Sequence, residues 1–351
     1  MVTSMRAMII RRHGDPDVLE PAELPVPAPG PGEALVRVGA VSVNSYLDVT
    51  NRSCGLPLGG YEMPNVLGSE HAGTLVALGP GTKSDIPIGT AVSVHNAIAC
   101  GQCDWCTSGR QESCPRVEII GVTRQGAYAE YTAVPVGNLR AIPHGVTVIE
   151  AASMNVTGPL AVEQLLAVRA RPQEYVLIHA AGSAAATMAA AVARAMRLRT
   201  IGTVRGDRKL AKLTALRLYD EILDSTQEYA LGRLREITAG HGADIVIDNI
   251  GAAELWQFST AALCPAGRIV CSGAKAGGEV TLNLRWLYSM AQRIVGVRIA
   301  SEAARDQFWS LAADKGVRPV IDETYPLHDV AAAHRRIEGG LNIGRPVLTI
   351  D

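Results

Sequence analysis

Between Tyr175 and Val297 the chain alternates short apolar runs with helix-length segments, and this alternation restricts its fold more than any other feature of the sequence. Tyr175–His179 (YVLIH), Arg199–Val204, Glu221–Leu223, Asp244–Asn249 (DIVIDN), Arg268–Ser272 (RIVCS) and Arg293–Val297 read as six strands. Ala184–Met196, Arg208–Leu216 and the segment around Tyr229–Thr238 read as helices between them. Strands that are apolar throughout are buried on both faces, and helical crossovers make them parallel. The expected fold class is therefore α/β with a doubly wound parallel sheet.

The remainder has a different character. Before Glu150, the strands Ala34–Val43, Glu70–Leu78 and Ala91–His95 are separated by Pro and Gly, which predicts an irregular β-rich domain. Pro21–Pro31 reads as an extended surface connection. Helices over Ile149–Met154 and Leu160–Ala170 lead into the parallel sheet. After Ala300 come a helix (Ala303–Ala313), a strand (Val317–Thr324), a helix (Asp329–Gly339) and a last strand (Pro346–Ile350). A chain of 351 residues exceeds the usual single core, so two domains are expected. The formal net charge of −1 argues against a general attraction to nucleic acid or anionic membrane. The apolar run in MVTSMRAMIIRRHG is too short for a signal peptide. No apolar stretch approaches the ~20 residues of a membrane span.

Four of the seven cysteines lie in one window, Cys100-Gly-Gln-Cys103-Asp-Trp-Cys106 followed by Cys114. Clustering, an odd total and no export signal favour a reducing cytoplasm and metal ligation over disulfides. Four thiolates complete a closed tetrahedral zinc shell, so the expected metal is one structural Zn2+.

After Tyr175–His179 comes Ala180-Ala181-Gly182-Ser183-Ala184-Ala185, a small-residue turn opening a helix. Such a turn lets the backbone approach a dinucleotide pyrophosphate at a helix N-terminus, although only Gly182 of the usual three glycines remains. The second strand ends in Thr203-Val204-Arg205, with Arg208 and Lys209 close behind. An NAD site expects a carboxylate here, whereas a guanidinium suits the 2′-phosphate of NADP(H).

Taken together, the cysteine window, Gly68-Ser-Glu-His-Ala-Gly73, Gly126-Ala-Tyr-Ala-Glu-Tyr131, Gly242–Asn249 and Pro265–Val270 resemble the medium-chain dehydrogenase/reductase superfamily. The resemblance implies a Rossmann cofactor-binding domain over 151–300. It also implies a GroES-like catalytic domain over 1–150 and 301–351, with the active site in the cleft. It further implies that Thr157, Asn249, Ile250, Ser272, Gly273 and Ala274 line the cofactor, and that Asn342 and Arg345 close over it. Family members commonly form a homodimer or homotetramer through the last Rossmann strands, here Arg293–Ile299.

Zinc alcohol dehydrogenases of that family hold a second, catalytic zinc. At its first ligand position this chain has Ser45 or, with one inserted residue, Asn44; at its histidine position it has Ser69; no cysteine stands near Asn155. Glu70 and His71 alone do not supply three protein ligands. The sequence therefore looks like the quinone oxidoreductase and enoyl reductase branches, which reduce an activated C=C bond of a small-molecule substrate. Asn44, Ser45, Tyr46 and Ser69 are the expected hydrogen-bond donors, with Tyr46 as proton donor. The alternatives are a zinc alcohol dehydrogenase with displaced ligands and a non-catalytic member of the family.

Overall fold

All six expected parallel strands join in one sheet. The computed structural model describes residues 3–57 and 62–351. Across the sheet the order is Glu221–Asp224, Arg199–Val204, Tyr175–Ile178, Ala243–Ile247, Leu263–Cys271 and Arg293–Gly296, each parallel to its neighbour. Leu177, Ile201, Val246 and Ile269 from the central strands pack with Leu234 and Trp256 of the covering helices. Chain order reverses between the adjacent strands Tyr175–Ile178 and Ala243–Ile247. Loops leaving the C-terminal ends of such strands are where doubly wound sheets bind ligands.

A second sheet is mostly antiparallel. Its order is Leu139–Ala141, Ala91–Val94, Glu70–Leu78, Glu33–Ser42, Arg345–Thr349 and Ile321–Pro326, with Tyr131–Pro135 also paired to Glu33–Ser42. The register sets Ser42 opposite Glu70 on one side and Val347 on the other, so the chain's end completes a sheet begun near its start. Val38, Val41, Leu67, Tyr128 and Leu348 form its core.

The chain divides into two units, residues up to Val156 with Ile321–Asp351, and Thr157–Val320. Residues 301–320 thus belong with the parallel sheet, not with the β-rich domain expected to contain them. The cause is packing: Phe308 of helix Glu302–Asp314 lies so close over Gly158 that a Cβ there would fall 2.2 Å from its ring. Ser301, which caps that helix, also donates its backbone N–H to Glu163 Oε2 (2.9 Å). The strand expected at Val317–Thr324 begins only at Ile321. Val317 N and the Arg318 guanidinium instead bond the carbonyls of Leu311 and Ala312, closing the preceding helix. Part of the proline-rich connection, Glu20–Pro25, is an edge strand paired with Ser4–Ile10, where prolines facing away from the ladder are tolerated.

Candidate functional site

The expected donors of the first unit surround two buried carboxylates. Asn44 precedes a helical turn, Ser45–Thr50, and caps it: its Oδ1 accepts from Tyr46 N (2.8 Å) and Leu47 N (2.9 Å). Val49 N reaches back to Asn44 O at 3.0 Å, a wide i to i+5 turn of the kind often found at functional sites. Asn44 Nδ2 donates to Glu70 Oε1, so its amide is engaged inside the protein on both ends. Asp48 accepts from Asn44 N (2.7 Å), Ser69 N (3.1 Å) and Gly68 N (3.2 Å). Burial pushes the Asp48 carboxyl up to about 7, against the pull of those N–H groups.

Glu70 is fully buried. It accepts from Arg345 Nη2 at 2.7 and 2.9 Å and from Ser42 Oγ at 3.2 Å. Arg345 therefore does not close over a cofactor as expected; it is buried against this carboxylate. Asn342 caps a turn, donating to Gly344 O (2.8 Å). Ser69 is also fully buried, yet its hydroxyl has no partner among the described residues. The same holds for His71 Nδ1 and Asn155 Oδ1. His71 Nε2 meets Thr132 Oγ1 at 3.2 Å, and Asn155 Nδ2 donates to the carbonyls of His71 and Val94. Burial holds the His71 imidazole down near about 3, so it is neutral. Ser45 is half-buried and Tyr46 exposed.

The cysteine window forms its own lobe. Sγ atoms of Cys103 and Cys106 are 3.4 Å apart, those of Cys103 and Cys114 3.9 Å, and those of Cys100 and Cys106 3.9 Å. These separations are far beyond the ~2.05 Å of a disulfide. Four sulfurs at ~2.3 Å from one centre sit ~3.8 Å apart, so the set fits a tetrahedral ion. The Gln102 N–H beside Cys100 helps bring its thiol down to about 6, which favours the ligating thiolate.

In the second unit, Ser183 caps helix Ala184–Ala195, accepting from Ala186 N at 3.2 Å. Gly182 sits in the preceding turn, and Ala184 and Ala185 form the helix's first turn, with N–H groups at the positive end of the helix dipole. Arg205 follows directly on the second strand, Arg199–Val204, and is exposed. Arg208 is likewise exposed and Lys209 half-buried. Thr203 does not face a cofactor as expected. It is buried, with Oγ1 2.9 Å from His179 Nδ1. Asn249 is similarly committed: its Oδ1 accepts from Ser272 N (2.7 Å) and Gln164 Nε2 (3.0 Å). Ser272 Oγ, by contrast, is buried without a partner among the described residues, a polar atom suited to a bound ligand. Gly273 approaches Asn249 O closely enough that a Cβ would lie at 3.3 Å, and Ala274 lies against Gly251. Thr157 is buried at the start of helix Thr157–Ala167.

Sequence reasoning missed a buried relay. His179 Nε2 meets Ser259 Oγ at 2.8 Å, Ser259 Oγ meets Asp248 Oδ2 at 3.1 Å, and Asp248 Oδ1 accepts from the N–H groups of Ile250 and Gly251. It ties the ends of the first, second and fourth strands together. The available signal was polar residues, His179 and Asp248, ending two otherwise apolar strands.

Residues 30–144 match the model of the alcohol dehydrogenase GroES-like domain, and residues 219–348 match that of the zinc-binding dehydrogenase family. The L-threonine 3-dehydrogenase of Pyrococcus horikoshii is 30% identical, over 75% of this chain and 74% of its own. A 2-haloacrylate reductase from Burkholderia is 29% identical over 97% of this chain and 98% of its own. The crystal structure of an NAD-dependent alcohol dehydrogenase superposes with a TM-score of 0.91 at 33% identity, covering 99% of this chain and 100% of that one. With a GroES-like first unit and a Rossmann-type second unit, the chain belongs to the medium-chain dehydrogenase/reductase superfamily of oxidoreductases.

Proposed function

We propose that this oxidoreductase reduces an activated C=C bond, in an enone, quinone or enoyl thioester, with NADPH and without a catalytic zinc. The observation that carries the reading is Ser69. A buried hydroxyl with no partner stands where zinc-dependent relatives have a histidine ligand. The neighbouring groups do not replace that ligand. Asn44 and Arg345 are both engaged with Glu70, and Asp48 with backbone N–H groups. Among the described residues, Asp48, Glu70 and His71 do not converge on a common point as a metal shell would. The 2-haloacrylate reductase has, by its name, a conjugated substrate, which agrees with this chemistry.

Bound NADPH would supply a hydride to the β-carbon. Ser69 donates a hydrogen bond to the carbonyl oxygen, on which negative charge grows as the hydride arrives. Tyr46, open to solvent, delivers the proton to the α-carbon, with Ser45 beside it. Asn44 holds the Ser45–Thr50 turn that carries both. Gly182, Ser183, Ala184 and Ala185 receive the pyrophosphate, Arg205 with Arg208 and Lys209 the 2′-phosphate, and Thr157, Ile250, Ser272, Gly273 and Ala274 the nicotinamide ribose half. Cys100, Cys103, Cys106 and Cys114 hold one structural zinc. We place the enzyme in the cytoplasm as a homodimer or homotetramer. Among the described residues no helix is long and apolar enough to cross a membrane.

The test compares NADPH oxidation by 2-cyclohexenone, a benzoquinone and crotonyl thioesters with NAD+ reduction by primary and secondary alcohols. The expected outcome is enone-type turnover with NADPH, lowered about 10- to 1,000-fold in Ser69→Ala. Faster alcohol oxidation with NAD+, dependent on added zinc, would overturn the proposal.

A further inference from the structure

His241, Asp244 and Cys264 offer a second convergence of metal-ligating atoms, at the opposite end of the parallel sheet from the loops assigned to the cofactor. Their ligand atoms lie within 4.8 Å of one another. His241 Nε2 is 2.9 Å from Asp244 Oδ1, and Cys264 Sγ is 3.7 Å from the same oxygen.

The local fold builds this cluster. His241 sits in a tight turn after helix Ala230–Ile237, where Ala239, Gly240 and Gly242 all take positive φ. Thr238 Oγ1 fixes the turn by accepting from Gly242 N at 2.9 Å. Asp244 and Cys264 lie near the starts of adjacent parallel strands, whose register slips between Ala243 and Ile245. Such an irregularity can re-aim side chains, and Asp244 lies at it, with Oδ1 3.7 Å from Cys264 Sγ. Tyr175 N binds Asp244 Oδ2 at 2.8 Å, leaving Oδ1 to face both the imidazole and the thiol. Arg268 pairs with Glu174 Oε2 at 2.7 Å and donates to the backbone carbonyl of Asp244 at 3.3 Å, so its guanidinium borders the cluster with its charge already matched by Glu174.

We infer that His241, Asp244 and Cys264 bind a thiophilic divalent cation of the zinc, cobalt or cadmium class. Ligands at ~2.0–2.3 Å from a tetrahedral ion lie ~3.3–3.8 Å apart. The two pairs that share Asp244 Oδ1 come within a few tenths of an ångström of this, and His241 and Cys264, no more than 4.8 Å apart, close the shell by turning toward each other by up to about an ångström. The mixed nitrogen, oxygen and sulfur set excludes magnesium and calcium, which prefer oxygen alone. His241 is about half exposed, so water takes the fourth position and the ion exchanges with solvent. Bound there, the ion joins the turn after a helix to two strand starts; it stabilises the second unit and takes no part in the chemistry.

Equilibrium dialysis of the full-length protein against free Zn2+, followed by elemental analysis, tests this. The wild type should hold one zinc more per chain than His241→Ala, whose changed side chain is exposed and not needed by the core. Adding Co2+ should give a thiolate-to-cobalt absorption in the near ultraviolet that is weaker in Cys264→Ser than in the wild type. NADPH affinity should be the same in His241→Ala and wild type, which separates this site from the proposed reduction. Equal zinc content in wild type and His241→Ala would overturn the inference, whatever that content is.

Discussion

Arg345 Nη2 lies between the two carboxylate oxygens of Glu70, 2.7 and 2.9 Å away, in a site closed to solvent. Arg345 Nη1 also donates to Val43 O at 3.2 Å, so one guanidinium links the last strand to the turn that carries Asn44. Removing one member of a buried pair leaves the other unpaired. Arg345→Ala should lower the unfolding free energy by about 3–5 kcal/mol. Guanidinium denaturation measures this; a loss below about 1 kcal/mol would show that Glu70 is compensated elsewhere.

Three buried histidines make the protein sensitive to acid. Burial lowers His71 and His334 to about 3 and His179 to about 4. Their folded values lie below the ordinary 6.5, so the unfolded chain binds protons first. Their stabilisation is complete above about pH 6.5 and is lost as pH falls toward 4. Each proton contributes a slope of about 1.4 kcal/mol per pH unit. His334→Gln should flatten the profile by up to one proton. Denaturation midpoints at pH 4.5, 5.5 and 6.5 measure it; an unchanged slope would rule out His334 as a contributor.

Asp48 acts in the opposite sense. Its carboxyl is raised to about 7, so the folded state holds the proton more tightly than the unfolded chain. The resulting stabilisation is full below about pH 4 and disappears as pH rises through 7. Asp48→Asn should therefore lose less stability than wild type between pH 5 and 8. Parallel curves for the two proteins would exclude the effect.

The sheet order was legible because strand identity in 175–297 rests on local apolar runs, and parallel winding follows from the helices between them. The cysteine lobe was legible because its ligands are close in sequence. What escaped depends on contacts between distant residues. Arg345 was expected to close over the cofactor, and only the register of Val347 against Ser42 brings it to Glu70. Thr203 stood at the expected cofactor position, but the inward turn of its hydroxyl is set by His179, 24 residues away. The late boundary at Ile321 depends on Phe308 packing over Gly158, which no local pattern encodes.

The zinc proposed for the four cysteines should hold their lobe together. Between Ile98 and Glu118 it contains only short helical turns, and Cys106 and Cys114 are its only buried side chains. Such a lobe has no hydrophobic core of its own, so metal binding and local folding are coupled. Treatment with a strong chelator should expose Arg110 to trypsin while the Rossmann unit stays intact, as read by mass spectrometry of the fragments. Cleavage that is equally slow with and without chelator would show that the lobe is held by other means.

An open edge in the second unit bears on assembly. Among the described residues Arg293–Gly296 pairs on one side only, and Leu284, Tyr288 and Ile294 near it are exposed. An edge strand with apolar neighbours is a template for pairing with another copy. Light scattering of the wild type should give at least twice the chain mass. Ile294→Lys puts a charge on that edge and should shift the mass toward one chain without altering the fold, checked by circular dichroism. A monomeric wild type would remove the edge from consideration.

The proposed preference for NADPH rests on Arg205, the exposed residue just after the second strand, where an NAD site would carry an acid. A guanidinium makes charge-assisted hydrogen bonds to the 2′-phosphate of NADPH, and NADH has no group to meet it. A hydrogen bond to a charged group contributes about 1.5–3 kcal/mol, roughly 10- to 150-fold in affinity. Arg205→Ala should weaken NADPH binding by that factor and leave NADH binding nearly unchanged. Arg208 and Lys209 would retain part of the attraction, so the double change Arg205→Ala with Lys209→Ala should go further. Fluorescence titration of both cofactors against both variants decides the matter. An equal loss for NADH and NADPH would mean that Arg205 holds the loop, not the phosphate; tighter NADH binding by the wild type would reverse the assignment of the cofactor itself.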